Sequence, residues 1–224
     1  MVRTAKNAPK AKIMPLKAFQ NRRAHTSDVI RAIQYAEANG ATIVNCSWGS
    51  TEDNPALKDV MEDSTMLFVC AAGNYHKDFS QEPIYPAAYN FDHTVSVASI
   101  NDSLGITTFS NYGAGVDIAA PGRKIESTYP NGEYGLMEGT SVSAGFVSAA
   151  IANYAGTVSR SAAAEQKAAL KENAGQLSCL IGKTENGNYL GTENLVKQEA
   201  DTFVEPATET VAEPAPEAML GQTP

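Results

Sequence analysis

The sequence predicts an α/β fold: a mostly parallel sheet with helices on both faces. Three observations carry this. Short apolar runs alternate with amphipathic helical stretches over the first hundred residues, and strand–helix–strand order requires crossovers and therefore parallel pairing. The apolar runs are near-continuous rather than alternating, as strands covered on both faces are. A long Ala-, Ser- and Val-rich stretch, Ser141 to Tyr154, reads as a helix enclosed on nearly all sides.

Taken in order, Lys12 to Phe19 (KIMPLKAF) is the first apolar run and predicts a strand. Thr26-Ser27 offers an N-cap and Asp28 suits a first helical turn. Val29, Ile30, Ile33 and Ala36 follow at helical spacing, and Asn39-Gly40 supplies a stop. Ala41 to Cys46 is too short and too β-branched for a helix and predicts a strand. Asn54-Pro55 is a cap followed by proline at the first helical position, opening a helix to about Asp63. Met66 to Ala72, Thr94 to Ile100 and Val116 to Ala119 predict three more strands, and Ala162 to Ala174 a more polar helix. From about Gln198 the chain alternates Glu, Pro, Ala and Thr, which cannot bury enough surface to offset ordering entropy. Residues 1–197 are therefore expected to form the folded domain and 198–224 a disordered acidic tail.

The charge distribution agrees. Six of the twenty-five acidic residues lie after Lys197, where no basic residue occurs, so most of the net charge of -8 belongs to the tail. The folded part is nearly neutral and lacks the basic face that nucleic-acid binding needs. No run approaches the roughly 18–20 apolar residues of a membrane span. Met1 to Lys6 carries charges with no apolar segment behind them, which is not the pattern of an export signal. Three cysteines are too few and too scattered for a disulfide framework or a zinc site. Cys46 and Cys70 lie in apolar runs and read as small buried residues, with a Cys46–Cys70 pairing left open.

In sheets of this kind, sites form beyond the carboxyl ends of the strands, which directs attention to Ser47-Trp48-Gly49 and Gly73-Asn74. Gly139-Thr140-Ser141 opens the enclosed helix. A serine there has its oxygen near unpaired backbone N–H groups, which favour developing negative charge. Taken alone, Gly-Thr-Ser reads equally as a simple helix cap, and Asn74 as a turn residue.

The surrounding segments identify more. Gly139 to Val147 resembles the nucleophile segment of the subtilase (subtilisin-like, peptidase S8) family. Val69 to Asn74 resembles its strand ending in Ala-Ala-Gly-Asn, and Asn45 to Gly49 its Asn-x-Ser-x-Gly strand. Tyr85-Pro86-Ala87, Phe109 to Gly113, Ile118 to Gly122 and Ala8 to Ile13 match further landmarks in the same order. The resemblance covers about residues 5–197. It implies a three-layer subtilisin-like domain and serine-type endopeptidase chemistry. Ser141 would be the nucleophile, with the Asn74 amide and the Ser141 N–H forming the oxyanion hole. Ser47, Trp48 and Gly49 on one side, with Ala71, Ala72 and Gly73 on the other, would line the cleft for a peptide or protein substrate. Tyr85-Pro86 would be a cis bond. Family members often bind calcium and are usually secreted, but no Asp-rich ligand loop and no export signal is visible here; no cofactor is expected and localisation stays open.

Two departures stand out. Gly145 occupies a position where the family has proline, at a cost of up to about 1 kcal/mol of backbone entropy in a helix. The family's Asp-(Ser/Thr)-Gly and His-Gly-Thr-His segments are absent; in family order they precede Ala8-Pro9, so the domain is expected to be N-terminally truncated, with those segments before Met1. None of His25, His76 and His93 sits in a pattern that aims an imidazole at Ser141. A serine without a general base is a poor nucleophile. The readings that follow are an endopeptidase domain inactive as this isolated chain, to which another chain supplies the N-terminal segment, or a non-catalytic peptide-binding module. An unrelated serine hydrolase is disfavoured because no Gly-x-Ser-x-Gly elbow occurs. A sheet lacking its first strands is expected to expose an edge and apolar surface.

Overall fold

The computed structural model describes residues 7–21, 23–157 and 162–191. The acidic segment 198–224 lies outside them. Helices α1 (Thr26–Ala38) and α2 (Pro55–Glu62) precede and follow strand β1 (Ile43–Cys46). Strands β2 (Leu67–Ala71), β3 (Thr94–Ile100) and β4 (Ile118–Pro121) come next, then a hairpin of β5 (Ile125–Thr128) and β6 (Tyr134–Met137). Helices α3 (Thr140–Thr157) and α4 (Ala163–Glu172) and two short strands, β7 (Gly175–Gln176) and β8 (Asn188–Tyr189), follow. The main sheet runs β1-β2-β3-β4-β8-β7, and only the β7–β8 pair is antiparallel.

The two-period of a strand divides β2 between two cores. Phe68 and Cys70 point to one face, where Val29, Ile33 and Ala36 of α1 and Leu57 and Met61 of α2 cover them. Leu67 and Val69 point to the other, against Ala144, Val147 and Ile151 of α3 and Leu170 of α4. Every residue of β2 and β3 is buried. This is the expected three-layer α/β architecture. Ser143 through Ala149 of α3 are all buried, in keeping with a helix enclosed on nearly all sides. Gly145 lies within that run, and the helix is continuous through it.

Local signals hold with shifts of a residue or two. The Asn54 side chain accepts from Leu57 N (3.1 Å) and Pro55 sits at the first position of α2. Helix α1 already includes Thr26; its N-cap is His25, whose side chain makes no capping bond. Lys12 to Phe19 is the clear exception and carries no strand. Pro15 cannot donate to a ladder, and the segment pairs with no described strand. Ile13, Met14 and Leu16 remain exposed. Strand β1, likewise, pairs only with β2 among the described residues, so the expected free edge is present.

A buried polar peg fastens α4 to the sheet. Asp117 Oδ2 accepts from Ser96 N (2.8 Å) and Ser96 Oγ (2.9 Å). Its other oxygen meets Lys167 Nζ (3.1 Å) and Lys171 Nζ (3.4 Å), and Lys171 also pairs with Glu185. Asp117 and Lys167 are both buried. Removing one member of such a pair strands the other charge in a poorly solvated site. Asp117→Ala is expected to lower the unfolding free energy by about 3–5 kcal/mol, read from urea denaturation; a loss below about 1 kcal/mol would show that the peg is not structural.

Candidate active site

Strands β1 and β2 run parallel in a register that sets Cys46 beside Cys70. Their carboxyl ends therefore release Ser47-Trp48-Gly49 and Ala72-Gly73-Asn74 side by side. Both cysteines are reduced and fully buried. Burial pushes the Cys70 thiol well above its ordinary range, with the neighbouring Cys46 adding to the shift. These are inert packing groups.

The amino end of α3 meets the same two exits. Gly139 turns the chain into the helix at φ +139°, and its carbonyl accepts from Val142 N and Ser143 N (3.0 and 3.3 Å). Ser143 Oγ donates to Ala120 O (2.9 Å), tying this first turn to β4. Thr140 then joins helix to strand. Its N–H and its hydroxyl both donate to Asn74 Oδ1 (2.9 and 3.0 Å), while its hydroxyl oxygen accepts from Gly73 N (3.2 Å). With Oδ1 so engaged, the amide orientation of Asn74 is fixed. Its Nδ2 lies on the Gly139 side, 3.2 Å from where a side chain at Gly139 would begin.

Asn111 holds the segment around Asn74. Its Nδ2 donates to Ala72 O (2.9 Å), its Oδ1 accepts from Tyr75 N and Lys77 N (both 3.1 Å), and its N–H donates to Gly73 O (2.9 Å). Gly73 has φ +108°, and a Cβ there would stand 2.6 Å from Asn111 Nδ2; only glycine fits. On the other wall, Ser47 and Ser141 exchange hydrogen bonds: Ser47 Oγ donates to Ser141 O (2.7 Å) and Ser141 Oγ to Ser47 O (3.0 Å). Asn45 Nδ2 donates to Ser47 Oγ (2.7 Å), and Ser148 Oγ of α3 to Asn45 Oδ1 (2.9 Å).

A cleft cavity of about 170 Å³ opens here, with Trp48, Gly49, Ala71, Gly73, Asn74 and Ser141 among its lining. Six of the eight residues singled out from sequence thus share one cavity. Ser47 stands beside it through its bonds to Ser141. Ala72 does not line the cleft: the strand alternation turns its side chain into the α1–α2 core. Sequence reasoning missed the supports Thr140, Asn111, Asn45 and Ser148 and the lining residues Tyr75 and Ile84. Asn111 and Thr140 fall inside recognisable motifs, but nothing in their spacing discloses a role.

Among the described residues, no charged side chain and no histidine lines the cavity. His93 Nε2 lies 2.7 Å from Met61 O, and the ring stacks on Phe91. His76 packs on Tyr112 with ring centroids 5.3 Å apart, and His25 stands at the N-cap position of α1, where its side chain makes no capping bond. Among the described residues, the Ser141 hydroxyl meets a carbonyl and not a base.

A serine on a helix amino end, facing an asparagine amide beyond the carboxyl ends of a parallel sheet, is the layout of an α/β serine hydrolase. Comparison with known proteins narrows the class. A family model described as "Subtilase family" matches residues 4–207, and the chain belongs to that family. Thermitase of Thermoactinomyces vulgaris is 34% identical over 178 residues, covering 78% of this chain and 61% of thermitase. The major intracellular serine protease of Bacillus subtilis is 36% identical over 152 residues, covering 65% of this chain and 47% of that protein. Subtilisin-like protease 2 of Plasmodium falciparum is 39% identical over 123 residues, 51% of this chain and 9% of that protein. The chain thus spans less than two thirds of each of these relatives. Among solved structures, a cold-adapted subtilisin-like serine proteinase matches with a TM-score of 0.68 at 27% identity, covering 76% of this chain and 62% of that one. Tyr85–Pro86 is cis, as the family resemblance implies.

The Thr140 clasp yields a prediction. Thr140→Val keeps the volume but leaves Gly73 N–H without its acceptor and Asn74 Oδ1 with one donor fewer. It is expected to cost about 1–3 kcal/mol in urea unfolding, and Thr140→Ser to restore most of that. Equal stability of the two variants would contradict the role of the hydroxyl.

Proposed function

We propose that this chain carries the nucleophile and oxyanion half of a subtilisin-type endopeptidase site, acting on peptide bonds in peptides or proteins. The carrying observation is the fixed amide of Asn74: Thr140 engages its oxygen, leaving Nδ2 as the donor beside the helix turn that presents Ser141. In this reading Ser141 Oγ attacks the carbonyl carbon of the scissile bond. The resulting oxyanion receives hydrogen bonds from Asn74 Nδ2 and the Ser141 N–H. Collapse expels the amine and leaves an acyl-enzyme, which water then hydrolyses.

Attack also requires that the serine proton leave, and here the hydroxyl points to Ser47 O. A carbonyl is no base, so the unaided chain is inactive or nearly so. Full activity then needs an aspartate–histidine pair on a polypeptide segment outside this sequence. The free edge of β1 is where such a segment would complete the sheet. The same hydrogen bond favours a second reading, a peptide-binding module whose cleft is intact and whose serine is idle. A resident metal or cofactor has no part in either reading.

The purified full chain is expected to show no turnover of a fluorogenic peptide panel beyond about 10³–10⁴-fold over water, the residue left in subtilisin, itself a relative, when the triad is broken. Adding a separately expressed segment bearing the aspartate and histidine is expected to produce turnover that Ser141→Ala abolishes. Turnover by the chain alone, lost in Ser141→Ala, would overturn the need for an outside base. Peptide binding that survives Ser141→Ala, with no turnover under either condition, would decide for the binding module.

A further inference from the structure

Charge is divided unevenly between the two ends of the sequence. Seven of the seventeen basic residues fall within residues 1–23, where there is no Asp or Glu. Six acidic residues fall within 198–224, where there is no Lys or Arg. Asp201, Glu205, Glu209, Glu213 and Glu217 recur at every fourth position, with Phe203, Val204, Val211, Met219 and Leu220 set among them.

The basic end borders a groove. Residues 16–20 and α1 enclose an open space of about 550 Å³, with Leu16, Ala18, Phe19, Ala32 and Tyr35 as its apolar part. Leu16 is 38% and Tyr35 55% exposed, so the apolar lining faces water. Asp28 is the one acidic group of the groove, and Arg31 is already paired with it. Lys10, Lys12, Lys17 and Arg23 are exposed and make no ion pair among the described residues. Exposed apolar surface rimmed by unpaired cations suits a segment in which carboxylates and apolar side chains alternate.

We propose that the acidic segment 201–220 docks on this groove in the same chain, its carboxylates against Lys10, Lys12, Lys17 and Arg23 and its apolar residues on Leu16, Phe19 and Tyr35. Reach allows it. Leu190 N donates to Ala119 O of β4 (2.7 Å), and β4 stands three strand spacings from β1, about 14 Å. Residues 192–200 span up to about 30 Å when extended. Single exposed ion pairs are weak, but a tether holds the segment at about millimolar effective concentration, so that several act together. A segment too polar to build its own core gains order by covering a groove that is already formed. The contact also touches the cleft. Phe19 packs on Trp48 with ring centroids 6.0 Å apart, and Trp48 lines the cleft cavity, so filling the groove is felt at the cleft wall. The proposal goes beyond the endopeptidase reading and does not depend on it.

Carbodiimide joins a carboxylate to a lysine amine in direct contact, and mass spectrometry of the full chain maps the links. In the monomer at low salt, links from residues 201–217 to Lys10, Lys12 or Lys17 are expected to exceed those to the exposed Lys58 and Lys124 by at least about tenfold, a preference that a few surface ion pairs supply. They are expected to fall at least about threefold in 1 M salt, where the screening length is about 3 Å. The double variant Leu16→Ser, Tyr35→Ser, at two exposed positions, is expected to reduce them several-fold. Trp48 is the single tryptophan. Its emission is expected to shift between low and high salt, and to stay fixed in a chain carrying Asp201→Asn, Glu205→Gln, Glu209→Gln, Glu213→Gln and Glu217→Gln. Links absent, or spread evenly over all lysines, overturn the docking and leave the groove to a partner outside this chain. Links found only in cross-linked dimers overturn docking within one chain in favour of a second copy. Links unchanged in the Leu16→Ser, Tyr35→Ser variant overturn the groove as the site. Trp48 emission that responds to salt equally in both chains overturns the coupling to the cleft.

Discussion

The hydroxyl of Thr140 is the point on which the site depends. It is at once donor to Asn74 Oδ1 and acceptor from Gly73 N–H, so it couples the start of α3 to the exit of β2 in two directions. Neither partner positions itself. A helix amino end has unpaired N–H groups and frays. The residues after a strand have left the ladder that held them. One buried hydroxyl, 0% exposed, removes both freedoms together. The Ser143 bond to Ala120 O and the Asn111 bonds around Asn74 brace the clasp from either side. The three-layer packing supplies what the clasp cannot, a fixed height of α3 over the sheet, through Ala144, Val147 and Ile151 against Leu67 and Val69.

The two walls of the cleft are held differently. On the Asn74 wall, one asparagine side chain gathers several backbone groups, and Gly73 is obligatory because its φ and the Asn111 amide leave no room for a Cβ. On the Ser47 wall, the fixing runs through side-chain hydroxyls and one amide, from Ser148 through Asn45 to Ser47 and so to Ser141. The first wall is rigid by backbone count. The second is a relay whose last member is the Ser141 backbone carbonyl.

Much of the fold was legible from residue pattern. The run from Thr94 to Ile100 corresponds to β3 residue for residue, because a strand buried on both faces reads as an uncharged, largely apolar run even with Thr94, Ser96 and Ser99 in it. The cap at Asn54-Pro55 carried its own geometry. What failed depended on partners. Lys12 to Phe19 has the composition of a strand but no neighbour to pair with. The β5–β6 hairpin went unread because its side chains, Tyr134 and Leu136 among them, are exposed, so burial left no periodic trace. Ser141 and Asn74 were legible as cleft residues because each sits in a short motif beside a predicted element. Ile84 was not, because the floor of a pocket built by three separate segments has no signature within any one of them.

The two reduced cysteines at the β1–β2 register have a consequence outside the site. Cys46 and Cys70 are wholly shielded and burial pushes the Cys70 thiol up, whereas Cys179 is exposed. An alkylating reagent therefore meets one fast and two slow positions in the same molecule. The slow pair lies on the neighbouring strands β1 and β2, immediately before the cleft residues, and becomes reactive only when those strands part. The sequence thus carries its own clock for opening of the cleft end of the sheet, with an exposed thiol in the same molecule for comparison.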